Sequence, residues 1–473
     1  MDKKFYVTTP IYYVNEAPHI GSAYTTLAAD IIARHYRQKL GHENVFFLVG
    51  TDEHGQKIQA VAKEKGLTPI KLADKVSREF KNAWKLLKLD FDFFIRTTDK
   101  RHKEVVSALL QKIYDAGYIY SGTYEGPYCV GCERFYKESE LVNGRCPLHP
   151  NKEISYQKEK NYFLKLKELV QEKVLPKIKN GDYKILPEER KNEVLARIEQ
   201  GVEDVSVSRE GVTWGIPVPW DKTQTVYVWV DALINYYSAT QFLEGKKDFW
   251  PADLHLMAKD ILWFHAVIWE ALLIAAGIDL PKVVFAHGFF TVDGQKMSKS
   301  LGNVITPKQL VDRYGVDGAR YLMISAVSFG SDGDISLKAF DTKFEADLSN
   351  GLGNLVSRVA KLCEKSGLDF HYHNSNYGSV DEKIKAALEN YRFDEALKVI
   401  WENVAEADQF INKAEPWKLS GRDLEKVLVH LVDHVRSIAF NLKPFLPETS
   451  ERIEKQFRGP RIKSEAPLFP RLK

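Results

Sequence analysis

Cysteine is scarce in this chain, four in 473 residues. So few cannot staple a protein of this size, which excludes a disulfide-dense secreted scaffold. Long apolar runs are missing too, and no stretch approaches the length a membrane-spanning helix requires. The N-terminal Met1-Asp2-Lys3-Lys4-Phe5 carries no signal-peptide core and enters a strand-like run at once, so a cytoplasmic location is expected. Excess charge of one sign is nearly absent: 67 Lys+Arg against 64 Asp+Glu, for a net +3. Any nucleic-acid partner must therefore be met by local patches, of which the basic tail Arg452 to Lys473 is one candidate. Internal repeats and low-complexity stretches are also lacking. The remainder, 44% hydrophobic and 28% charged, is the composition of a globular protein long enough for roughly two to four domains.

The most distinctive stretch present is Lys296-Met297-Ser298-Lys299-Ser300, flanked by Gly294 and Gly302 on what reads as a loop. Two ammonium groups three residues apart suit a triphosphate whose charge shifts as a bond at its α-phosphorus breaks. Near the other end, Lys4 to Thr8 reads as a first strand. Ile20, Tyr24, Leu27 and Ile31 then keep helical spacing up to a stop at Gly41. Pro18 fits a first helical turn. His19 and Gly21 therefore sit at a helix N-terminus directly after a strand, where backbone N–H groups and the helix dipole favour phosphate.

Val45 to Val49 reads as a buried parallel strand ending in the polar cluster Gly50-Thr51-Asp52-Glu53-His54-Gly55. Lys57 to Leu89 is helical in pattern, and an apolar segment follows at Phe91 to Ile95. Cys129-x-x-Cys132 and, after thirteen intervening residues, Cys146-x-x-His149 have the spacing of a tetrahedral zinc knuckle whose four ligands saturate the metal, so a structural ion is expected. Cys363, on a helical stretch far away, reads as core.

Beyond the inserted segment, strands are expected at Thr225 to Val230, Leu254 to Met257 and Val283 to Ala286, with a helix through Ile261 to Trp269. Strands stop after about Gly330. Two helical faces follow, one from Leu397 to Ile411 and one from Leu428 to Leu442, in a bundle of about five helices. The expected fold is α/β: a doubly wound, Rossmann-like parallel sheet split by a zinc-knuckle insertion and followed by an all-α bundle. Its parts are 1–118 and 213–330 (the two halves of the sheet domain), 119–212 (the connective insertion), 331–350 (a link) and 351–473 (the bundle).

The Lys296–Ser300 pentapeptide and His19-Ile20-Gly21-Ser22 together resemble the two nucleotide-binding signatures of class I aminoacyl-tRNA synthetases, with Ser22 where the family's His-Ile-Gly-His ends in histidine. Serine keeps a hydrogen-bond donor but cannot carry positive charge at neutral pH. Over nearly the whole chain the sequence is similar to the methionyl-tRNA synthetases with one zinc knuckle. The resemblance implies an ATP site at His19, Gly21, Ser22, Asp260, Lys296, Ser298 and Lys299, with His19, Lys296 and Lys299 catalytic and Mg²⁺ accompanying ATP. It implies a methionine site at Ile11, Tyr13, Asp52, Trp229, Tyr236, Phe264, His265 and Trp269. Asp52 would pair with the substrate ammonium, and aromatic walls suit a thioether.

The resemblance further implies zinc on Cys129, Cys132, Cys146 and His149, and anticodon contacts from Asn354, Arg358 and Trp417. The partners would be ATP, L-methionine, the initiator and elongator methionine tRNAs and no membrane. A β-barrel tRNA-binding module that follows the bundle in some relatives is not found; it is either absent or supplied by a separate chain, so a separate barrel subunit is a candidate partner. The rival readings are a class I synthetase for Leu, Ile or Val, a zinc-containing RNA-binding relative without catalysis, and a non-tRNA adenylyltransferase. An insertion of about ninety residues is too short for the editing domain of the first. Binding alone needs neither His19 nor two lysines. The bundle residues argue against the third.

Overall fold

The structure, a computed structural model, describes residues 3–131, 134–297, 302–371 and 380–472, and the side chains of 124, 134 and 296 also fall outside it. Seven strands form a central, wholly parallel sheet: β1 (Phe5–Thr8), β2 (Tyr12–Tyr13), β3 (Val45–Asp52), β4 (Phe93–Arg96), β5 (Lys184–Leu186), β6 (Leu254–Ala258) and β7 (Val283–His287). Starting at β3 the sheet runs through β1, β6 and β7 to β5, while β2 and β4 both pair with β3. The expected doubly wound α/β architecture is thus present. All eight residues of β3 are buried, as its unbroken apolar run requires when both faces of a parallel sheet are covered. Each Val, Leu or Phe buried this completely contributes about 1.5–3 kcal/mol. The chain moves outward from β1 to β3 on one side and to β6 on the other, so the strand order reverses between β1 and β6. Ligands of such sheets bind outside the strand carboxyl ends at that reversal.

The chain divides into two compact units. The first comprises Met1–Ala17, Leu40–Asn82 and Phe91–His287, and so holds the whole central sheet. It also holds a four-stranded antiparallel sheet ordered Arg134–Phe135, Ile119–Cys129, Ser155–Leu164 and Val205–Ser206. The second comprises Pro18–Lys39, Ala83–Asp90 and Gly288–Lys473. Within it, a small sheet of Gln295–Lys296, Phe290–Val292 and Gly333–Ile335 precedes the helices Asn354–Ser366, Glu382–Glu389, Phe393–Ala414, Gly421–Leu442 and Pro447–Gln456. Among the described residues those five match the expected bundle, and Cys363 is buried.

Four local expectations change. The strand at Thr225 ends at Val226, and Val228–Phe242 is helix; the β-branched Val228 and Val230 give it a strand-like look that helix packing overrides. A strand does follow Gly330, because Gly333–Ile335 pairs with Phe290–Val292. Lys57 to Leu89 is two helices, Gln56–Glu64 and Pro69–Leu86, broken at Gly66 with φ 64°. Pro18 lies ahead of the helix Ile20–Leu40 rather than in its first turn. Among the described residues no helix is long and apolar enough to cross a membrane.

Candidate active site

In the first unit, the pairing of β2 with β3 sets Tyr13 opposite Asp52. Ile11 comes so close to β3 that a Cβ on Gly50 would stand 2.9 Å from its Cγ2 and 2.3 Å from the Ile95 carbonyl, so only glycine fits. The Tyr13 hydroxyl donates to the carbonyl of His54 at 3.0 Å. Expected methionine-site residues on two other elements also meet. Trp229, on helix Val228–Phe242, stacks on Phe264 with ring centroids 4.1 Å apart and planes 14° off parallel, and both rings are half-buried. Tyr236, on the same helix, donates its hydroxyl to Nε2 of His265 at 2.8 Å and meets Trp269 edge-on at 6.2 Å.

Phe264, His265 and Trp269 lie on one π-helical stretch, Phe264–Trp269. The wider turn is a local irregularity of a kind often found at functional sites. Burial pulls the His265 imidazole down to about 4, so it is neutral. Its Nδ1 donates to the Ile261 carbonyl, which leaves Nε2 to accept from Tyr236. His255 beneath is likewise neutral, pulled well down by burial; it accepts from the Trp269 indole and faces the Thr8 hydroxyl at 2.7 Å. Asp260 is exposed on the short turn Lys259–Ile261 after β6.

Several polar residues here carry no signal in the sequence that singles them out. His54 Nδ1 lies 2.7 Å from one oxygen of Asp231, and His102 Nε2 lies 2.8 Å from the other, all three buried. Glu53, fully buried, is held by Thr51, Arg96 and Thr98. His54 does fall in the polar cluster at the end of β3, and Asp231 directly follows Trp229-Val230. Their partnership spans 177 residues and leaves no local trace.

In the second unit, the Gly21 N–H donates to Nδ1 of His19 at 3.1 Å, folding the imidazole over the start of its own helix. A Cβ on Gly21 would lie 2.9 Å from that ring. Since Nδ1 accepts, the ring proton resides on Nε2. The Ser22 hydroxyl donates to the His19 carbonyl at 2.8 Å and accepts from the His19 N–H at 3.1 Å. The first helical N–H, that of Ile20, is met by the carbonyl of Ile305. The Met297 methyl would lie 3.8 Å from the same Cβ on Gly21, so the lysine segment anchors against the His19 helix.

Asp293 and Gly294, with φ 50° and 74°, form a two-residue hairpin turn that sets Val292 opposite Gln295 and Thr291 opposite Lys296. The Asp334 carboxylate accepts from the Thr291 hydroxyl at 2.6 Å and the Gly294 N–H at 2.7 Å, bonds that hold it below the usual carboxylate range. Lys296 thus has its backbone on a strand, while its side chain and Ser298 and Lys299 lie outside the described residues.

Cys129, Cys146 and His149 converge with their donor atoms within 4.8 Å of one another, an arrangement that could hold a metal ion. His149 Nδ1 is 4.0 Å from one sulfur and 3.9 Å from the other. A Cβ on Gly131 would strike the His149 ring at 2.6 Å, so the glycine makes room for the histidine. Cys132 lies outside the described residues. In the bundle, Arg358 is held by Asp408 and, at 2.9 Å, by Asn412. Asn354 is exposed one turn before it, and Trp417 is 57% exposed.

A sequence family described as "tRNA synthetases class I (M)" matches residues 5–155 and 149–360. The methionine–tRNA ligase of Caldanaerobacter subterraneus is 40% identical over all of this chain and 79% of its own length. That of a Nostoc species is 42% identical over 96% of this chain and 90% of its own. Among solved structures, Mycobacterium tuberculosis methionyl-tRNA synthetase in complex with methionyl-adenylate superposes with a TM-score of 0.91 at 34% identity, covering 99% of this chain and 100% of that one. Its free form gives 0.84 at 31%. With both signature segments in place at the sequence level and the match extending from end to end, the chain belongs to the methionyl-tRNA synthetases, the methionine-specific family of class I aminoacyl-tRNA synthetases.

Proposed function

We propose that each expected residue acts at the step its chemistry suits. The reaction is ATP-dependent ligation of L-methionine to methionine tRNA through methionyl-adenylate, releasing pyrophosphate and AMP. The observation that carries the pocket assignment is the half-buried Trp229–Phe264 stack, 4.1 Å between centroids, beside the neutral Tyr236–His265 pair. A thioether gains from sulfur–aromatic contact and carries no strong hydrogen-bonding group, so aromatic rings beside a Tyr236–His265 pair whose polar atoms already engage each other suit it. Asp52 binds the substrate ammonium, with Ile11, Tyr13 and Trp269 completing the surround. The methionine carboxylate then attacks the α-phosphorus of ATP in line.

His19 donates from Nε2 to phosphate oxygen, and the N-terminus at Gly21 favours the same charge. Lys296 and Lys299, with Ser298, neutralise charge building toward the departing pyrophosphate, and Asp260 takes the ribose hydroxyls. Mg²⁺ supplies charge neutralisation on the phosphate oxygens. Ser22 serves through the backbone of His19, consistent with its two hydrogen bonds there.

Two cysteines and a histidine at these spacings, with Cys132 as fourth ligand, are the donor set of structural zinc. Zinc is therefore the ion proposed, tying the tip of the insertion together. The boundaries 119–212 for the insertion and 351–473 for an anticodon-binding bundle follow from the same reading. There Asn354 and Arg358 meet base edges and Trp417 stacks on a base of initiator or elongator tRNA. The protein works in the cytoplasm, and a separate barrel subunit is a candidate accessory for tRNA.

The test is amino-acid-dependent ATP–pyrophosphate exchange with methionine against leucine, isoleucine, valine and cysteine. Exchange strongly favouring methionine is expected. Exchange driven by another amino acid would overturn the pocket assignment.

A further inference from the structure

We propose that Asp231, held between His54 and His102, is a positioning residue that sets the spacing between the Asp52 carboxylate and the Trp229–Tyr236 wall, and thereby governs affinity for the amino acid. The proposal rests on the methionine-site reading above.

Both oxygens of Asp231 are engaged, by His54 Nδ1 at 2.7 Å and by His102 Nε2 at 2.8 Å. The far nitrogen of His102 meets the Ser238 hydroxyl at 2.7 Å, and Ser238 lies within 3.1 Å of the Asn235 carbonyl. The far side of His54 packs edge-on against Trp214, 5.4 Å between centroids, and its carbonyl accepts from Tyr13. One carboxylate thereby joins the end of β3, helix Lys100–Asp115 and helix Val228–Phe242.

Complete burial would raise an isolated carboxyl. Here His54 and His102 outweigh burial and hold Asp231 below the usual carboxylate range. The charge therefore depends on its two partners, and removing either leaves a buried anion half supported.

Helix geometry turns that anchor into control of the pocket. At about 100° per residue, Trp229 projects some 200° and Tyr236 some 140° around the helix from Asp231. Fixing Asp231 fixes the rotation of the helix about its axis, and with it the direction of both aromatic walls. Asp52 lies two residues before His54 on the same backbone, so the clamp locates ammonium partner and wall relative to each other. None of the three clamp residues need touch substrate.

The experiment is methionine-dependent exchange at saturating ATP for His102→Leu, His102→Gln and Asp231→Asn, each checked by thermal melt, with Asp52→Ala as control. Glutamine can still present an N–H to Asp231, and leucine cannot. Asparagine accepts from one ring and donates to the other once His102 adopts its alternative tautomer, so the fold is kept while the charge is lost. His102→Leu is expected to raise the methionine KM roughly tenfold, with the ATP KM and kcat changed by no more than about threefold; His102→Gln and Asp231→Asn, which keep a contact to each ring position, are expected to stay within about threefold of wild type throughout.

An unchanged methionine KM in folded His102→Leu overturns the proposal. So does a loss confined to kcat, which is what simple bracing of the fold would give, and so does equal damage in His102→Gln and His102→Leu. Should His102→Leu fail to fold, the methionine KM of His102→Ala, which removes the same contact with a smaller side chain, decides alone. Wild-type exchange in Asp52→Ala would remove the site reading itself. Loss in Asp52→Ala beside a normal methionine KM in folded His102→Leu would overturn only the clamp.

Discussion

Tyr236 donates its hydroxyl to Nε2 of His265 at 2.8 Å, and Nδ1 of that ring donates to the Ile261 carbonyl at 2.9 Å. The neutral ring thus has its one proton committed, and protonating Nε2 would break the bond to Tyr236. With a folded pKa of about 4 against an ordinary 6.5, the unfolded chain binds more protons between those values. The stability that neutral His265 provides is full above pH 6.5 and is lost as pH falls toward 4. Wild type should lose stability and methionine affinity on acidification through that window, and His265→Gln should flatten the loss. Denaturant melts and methionine KM across the range are the measurements; superimposable pH profiles would refute the assignment.

Glu270 follows the π-helical stretch, is fully buried, and among the described residues neither carboxyl oxygen has a hydrogen-bond partner. Burial pushes the acid well above 4.5. The unfolded chain releases this proton above 4.5 while the folded one retains it, so wild type loses stability as pH rises past that value. Glu270→Leu should be more stable by about 1–3 kcal/mol near neutral pH, with the gap narrowing toward pH 4.5. Urea denaturation at several pH values checks this, and a gap independent of pH would count against it.

Asp334 clasps the hairpin turn that leads to Lys296. Asp334→Ala should loosen that hairpin and slow adenylate formation by roughly tenfold, leaving the methionine KM unchanged. Pre-steady-state pyrophosphate release gives both quantities. A normal rate of release would show that hairpin order does not matter to the lysines.

Removing the knuckle metal should affect the insertion first. Cys146→Ser is expected to lose bound zinc, read by metal analysis of the purified protein, and to become protease-sensitive within 119–212. Retention of stoichiometric metal would mean that Cys146 is not a ligand.

Trp417 is exposed and Arg358 is steered by Asp408 and Asn412. Trp417→Ala should raise the KM for tRNA by roughly tenfold or more, since base–aromatic stacking is worth about 1–3 kcal/mol, while leaving pyrophosphate exchange untouched. An equal drop in both assays would point to a folding defect instead of lost RNA contact.

Much of this architecture is legible in the chain because its signals are local. The unbroken apolar run of β3, the helical spacing after His19 and the Cys-x-x-Cys/His spacing each fit within a few turns or one strand. What is not legible is non-local or short. β5 is three residues, Lys184 to Leu186, with no room for a periodic pattern, and it enters the sheet only by pairing with β7. Trp229 reads as part of a strand and stands on a helix, because β-branched neighbours weigh less than the packing of that element. The Asp231 clamp gathers residues from three separate elements, each unremarkable in its own neighbourhood. Ser22 reads as a loss from the signature; its hydroxyl instead holds the backbone of His19.

The His19 helix and the lysine hairpin belong to one compact unit although nearly the whole first unit separates them along the chain. During synthesis this helix leaves the ribosome early, with Ile20, Ala23, Tyr24 and Leu27 destined for burial. Its partners emerge far later: Phe290 against Tyr24, the Ile305 carbonyl for the Ile20 N–H, and Arg320 for Asp30. Until then the helix lacks these partners, and apolar surface left open on a growing chain is what holding chaperones bind. A nascent chain released before Arg320 would carry the His19 helix without the contacts that Phe290, Ile305 and Arg320 make to it, so the parts proposed to handle ATP come together only as translation nears the bundle.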